Sequence, residues 1–154
     1  RIQLYRFLLL SFAIFTVVGC GSMPKQHIFD KQVKIYNEYD IVWSAIISFF
    51  AESNVPIRTI EKTTGLIVAE SEIFPEAWAD CGSGWFFENR SNAKGTFNVF
   101  AAKQTDGGVK VTVNASFYAT SFDVLNEAPN PPIRCYSTGE FERMLLDYVA
   151  ATAQ

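Results

Sequence analysis

Few side chains in this chain have the type and spacing for chemistry. His27 is the one histidine among the 154 residues, so any Ser-His-Asp or Cys-His unit would have to be built on it. It sits in Gly21 to Asp30, a stretch of Gly, Ser, Pro, Lys and Gln without periodicity, and would have to reach back into the folded part. Cys20, Cys81 and Cys135 stand at no zinc-ligand spacing, and the chain contains neither a P-loop nor a GxGxxG turn. Glu70 with Glu72, and Glu140 with Glu142, are carboxylate pairs of the kind that perform acid–base work. Glu140 reads instead as a helix cap and the others as solvated ends of elements. The expectation is a non-enzymatic protein with no catalytic residue, no metal site and no cofactor.

The elements that position these groups begin after residue 19. Arg1 and Arg6 flank an apolar run from Phe7 to Val18. Twelve residues rise about 18 Å as a helix, short of the roughly 30 Å hydrocarbon core of a bilayer, so the run does not read as a permanent span. A basic start, a short apolar stretch and small residues before a cut site form an export signal. The residues alone also fit an ordinary secretory signal with a chance cysteine, or a short anchor that is never cut; both place residues 30–154 outside the cytoplasm. Val17-Val18-Gly19-Cys20 resembles the lipobox of bacterial lipoproteins. That resemblance implies an acylated Cys20, cleavage before it, and a membrane attachment through the N-terminal lipid. Gly21 and Ser22 in place of aspartate after the cysteine imply an outer-membrane address, with the domain in the periplasm.

On that reading residues 1–19 are signal, 20–30 a lipidated tether and 31–154 a single domain. Phe, Tyr and Trp make up 15% of the chain, enough for a well-packed core without a metal. The signal holds two of the 13 basic residues and none of the 16 acidic ones, which leaves 11 against 16, a net charge of −5. This argues against nucleic acid or anionic lipid headgroups as partners. With Cys20 lipidated, Cys81 and Cys135 remain in a compartment where disulfides persist, and a bond between them is expected.

Lys31 to Asn37 reads as a strand. Asp40 is expected to cap a helix over 41–53, where Val42, Ile46, Phe49 and Phe50 form one apolar face. Ile57 to Glu61 and Leu66 to Glu70 form a hairpin across Lys62-Thr63-Thr64-Gly65. After an irregular stretch from Phe74 to Ser91, Phe97, Val99 and Ala101 alternate with Thr96, Asn98 and Phe100 to give a strand. Across Thr105-Asp106-Gly107-Gly108, Val109, Val111, Val113, Ala115 and Phe117 alternate more cleanly. Thr120 to Tyr136 is again read as irregular. Ser137-Thr138-Gly139-Glu140 has capping-box spacing before a helix carrying Phe141, Leu145, Tyr148 and Val149. The order β-α-β-β-β-β-α predicts a two-layer α+β domain, with two helices on one face of an antiparallel sheet of about five strands.

Tyr39-Asp40-Ile41-Val42-Trp43 opening a helix, followed by Val55-Pro56-Ile57 and Thr64-Gly65-Leu66-Ile67-Val68 in a hairpin, resembles the repeating domain of the BamC family of outer-membrane assembly lipoproteins. The likeness spans about residues 31–119 and implies a helix-grip fold. Two functions follow as expectations. One is an accessory subunit with a protein partner in the cell envelope, docking through an exposed sheet edge or through the disulfide-tied loops, where Trp78, Trp85, Phe86 and Phe87 beside Pro129 to Ile133 either anchor the partner or pack beneath the Cys81 bridge. The other is a binding module holding a small apolar ligand in a pocket lined by Phe141, Leu145 and Tyr148.

Overall fold

The computed structural model describes residues 22–82, 88–123 and 127–154, the side chains of residues 88–92, 121–123 and 129 excepted. Two helices, α1 (Tyr39–Glu52) and α2 (Glu140–Thr152), pack on one face of an antiparallel sheet. Its strands are β1 (Gln32–Ile35), β2 (Ile57–Glu61), β3 (Leu66–Ser71), β4 (Ala79–Asp80), β5 (Glu88–Lys103), β6 (Val109–Asp123), β7 (Ala128–Pro129) and β8 (Ile133–Ser137). They run in the order β2-β3-β5-β6-β8-β4, with β1 and β7 added on β6. The α+β class and the helices on one face are as the sequence predicts, with more strands than expected.

The extra strands come from the two stretches read as irregular. β5 and β6 pair without a break in direction from Lys103–Val109 to Glu88–Asp123, with one register shift between Ser91 and Ala93. Glu88-Asn89-Arg90-Ser91-Asn92 has no apolar alternation, so periodicity could not find it; the free backbone groups of the neighbouring strand recruit it. β8 is recruited likewise by Phe117–Ala119 of β6, and β4 by Tyr136 and Ser137 of β8.

Alternation decides which face is buried. Ile67, Ala69, Phe97, Val99, Ala101, Val109, Val111, Val113 and Phe117 all lie under the helices. Val42, Ile46, Phe49 and Phe50 of α1 meet them, as do Phe141, Leu145 and Val149 of α2. Ring packing dominates this core: Phe141 stacks on Phe97 with centroids 3.9 Å apart and meets Phe49, Phe50 and Trp78 at 5.8, 6.4 and 4.9 Å. Burial of such large rings contributes most of the domain's stability.

Both expected caps differ from what the structure shows. The first helix starts at Tyr39 with Glu38 as N-cap, so Asp40 lies in the first turn, where its charge suits the helix dipole, and pairs with Lys62 at 3.0 Å. The second has Gly139 as N-cap with φ +88°, and Glu140 pairs with Arg143 instead of reaching back to Ser137. The Phe29 ring explains the glycine: a Cβ on Gly139 would lie 2.5 Å from it.

Candidate functional site

Two carboxylates organise the end of the sheet where β4, β6 and β8 meet. Glu142, expected at a solvated position, has no exposed surface. β1 pairs with Val109–Thr112 of β6 and β8 with Phe117–Ala119, which leaves a gap on that edge of β6. Lys31 O takes the Val113 N–H in this gap, and Glu142 Oε1 takes the Ala115 N–H at 3.2 Å. Its other oxygen accepts the Ser137 hydroxyl at 2.7 Å, while Ser137 Oγ itself accepts the Gly139 N–H at 3.1 Å. Glu142 therefore acts as a bracket that joins α2, β6 and β8 across the break in strand pairing. The signal for it was its place on the apolar stripe, four residues before Leu146 and seven before Val149.

Asp80 is the second carboxylate. Its Oδ1 accepts the Gly82 N–H at 2.8 Å; its Oδ2 accepts the Lys25 N–H at 3.2 Å and lies 3.3 Å from His27 Nε2. The Gly82 N–H above all, with Lys25 and His27 adding to it, holds the Asp80 carboxyl below the usual carboxylate range. His27 thus does reach back to the domain, contrary to the reading of its segment as a loose tether. Its partner holds the N-terminal segment down.

Between the two carboxylates, Cys81 and Cys135 form a disulfide with Cα atoms 4.2 Å apart. It fastens the segment after β4 to β8, 54 residues away. The same end of the sheet bears an open cleft of about 900 Å³, lined by Glu72, Ile73, Lys94, Tyr118, Thr120 and Pro132 among others. The Ser71 hydroxyl bonds the Ile73 backbone and leaves that side chain 85% exposed. Tyr118 and Ile133 are 45% and 43% exposed, and Pro131 and Pro132 are exposed as well. Lys94 at the rim is balanced by Glu70 at 3.3 Å, so the cleft's character is apolar with a neutralised edge.

The expected site residues divide sharply. Trp78 is buried and packs edge-on against Phe97 and Phe141, because the helical turn Glu76–Trp78 swings it beneath α2. Phe141 and Leu145 are fully buried in ring-packed core, and Tyr148 donates its hydroxyl to Glu52 at 2.6 Å, so these three are not walls of a pocket. Trp85, Phe86, Phe87 and Cys20 lie outside the described residues. Among the described residues no group of three metal-ligating side chains converges, and no helix is long and apolar enough to cross a membrane. The residues the sequence reading missed are Ile73, in the segment after β3, and Tyr118, which the alternation of β6 turns to the face opposite Phe117 and Ala119. The sequence matches no protein-family model and no curated protein.

Proposed function

We propose that the protein is a lipid-anchored bacterial envelope lipoprotein, held by acylated Cys20 in the outer membrane, that works as a non-enzymatic accessory subunit of an envelope complex of the assembly or secretion type. The observation that carries this reading is the exposed end of the sheet, where Ile73, Tyr118 and Pro132 line an open cleft on an end that a disulfide fastens. Contiguous apolar surface rimmed by polar groups marks an interaction site. A rigid brace lowers the ordering cost of binding. The groups best suited to chemistry are engaged in holding structure: Glu142 brackets strands, and Asp80 with His27 secures the N-terminal segment.

Gentle solubilisation of membranes and pull-down of the native protein tests this. A protein recovered in stoichiometric amount with the wild type, and lost with Ile73→Asp or Tyr118→Asp while the fold is kept, supports the reading. Recovery of monomer alone counts against it.

A further inference from the structure

A free tether of ten residues would let the domain range about 35 Å from its lipid. The structure removes nearly all of that reach. Ser22 and Pro24 lie so close on Gly82 that a Cβ there would sit 2.3 Å from the Ser22 carbonyl oxygen and 2.9 Å from the Pro24 nitrogen. Lys25 and His27 are held by Asp80, and the Phe29 ring covers Gly139. Lys31 then joins the sheet through Val113. Residues 22–30 are a strap bound along the domain, and from Ser22 back to Cys20 the chain spans at most about 7 Å.

We propose that this strap docks the domain directly on the bilayer surface, with Met23 and Ile28 as the side chains that enter the lipid interface; this rests on the reading of Cys20 as lipidated. Met23 is 85% exposed and Ile28 fully so, although both are apolar and both lie on a segment that is itself pinned down. The length of chain before Ser22 commits the occupant to the lipid to which Cys20 is bonded. Strand order then fixes the orientation. The strap runs from the end of β4 past Gly139 to β6, so the β4 and β8 side of the sheet is membrane-proximal and β2, at the other end of the order β2-β3-β5-β6-β8-β4, is distal. The domain rides low on the membrane with its disulfide end down.

The two methionines of the chain, Met23 and Met144, report on this without substitution. Lipidated protein added to preformed phosphatidylethanolamine–phosphatidylcholine vesicles is oxidised with chloramine-T and compared in solution with the Cys20→Ala protein made without residues 1–19. Met23 should form sulfoxide at least fivefold more slowly on vesicles, with Met144 changing less than twofold. Slowing of Met23 by less than twofold, or equal slowing of both methionines, overturns the docked strap. Asp80→Ala, which removes the strap's acceptor, should restore Met23 oxidation in protein that still floats with the vesicles; undiminished protection overturns the strap as its cause. Intact mass and flotation report on the anchor separately, so an unacylated Cys20 sinks the lipoprotein reading while acylated, floating protein with an unprotected Met23 sinks only this inference.

Discussion

The two ends of this domain use aromatic and aliphatic side chains in opposite ways. Beneath the helices, Phe49, Phe50, Trp78, Phe97 and Phe141 close on one another until none is more than slightly exposed. At the disulfide end, Ile73 and Tyr118 stay open around a cleft, although a covalent bond fastens β8 there to the segment after β4. Apolar content therefore does not separate stability from recognition. What separates them is whether the topology supplies a second layer, and α1 and α2 cover one face only.

The contrast predicts a graded set of effects. Phe141→Ala should cost about 5 kcal/mol in chemical denaturation, the upper part of the range for a buried phenylalanine, because the ring packs against four other aromatic rings. Reducing the Cys81–Cys135 bond should lower stability by about 4 kcal/mol in the loop-entropy description, given a separation of 54 residues. Glu142→Ala strands the Ala115 N–H and the Ser137 hydroxyl, and should cost about 3 kcal/mol. Tyr118→Ala should shift stability by less than about 0.5 kcal/mol while weakening partner recovery, which distinguishes the open end from the closed one. A Tyr118 variant as destabilising as the Phe141 variant would erase the distinction.

The smallest effect concerns pH. Because the Asp80 carboxyl titrates lower in the folded protein than in the unfolded chain, its contribution is fully present above the ordinary aspartate value of about 4 and is lost as pH falls through the lower folded value. Amide exchange at Lys25 and Gly82, corrected for intrinsic rate, should therefore lose protection as pH falls below the ordinary aspartate value, before the core does. Loss of strap and core protection together would show that the strap is no separate unit.

Much of the fold was legible because its period-2 and period-3.6 patterns were unbroken. The faces of α1 and α2, the β2–β3 hairpin and the inward residues of β5 and β6 all follow from spacing. The site was less legible, for reasons that differ by residue. Glu142 resembled a solvated acid because its burial depends on a gap between β1 and β8, a property of sheet topology rather than of neighbouring residues. Trp78 was open between packing inward and anchoring a partner because its loop has no period; only the turn at Glu76–Trp78 directs it inward. His27 resembled part of a loose tether because its acceptor, Asp80, lies 53 residues away.

By itself the sequence determined the α+β class, the placement of two amphipathic helices, and which strand residues face the core, since all of these are set by local periodicity and side-chain hydrophobicity. Tertiary structure alone decided that the long hairpin continues through polar residues, that Glu142 bridges a break in strand pairing, and that residues 22–30 lie strapped on the disulfide end. The physical reason is the same in each case: an unpaired backbone group or an uncovered ring is satisfied by whichever segment the fold brings alongside, and no short-range pattern records that neighbour.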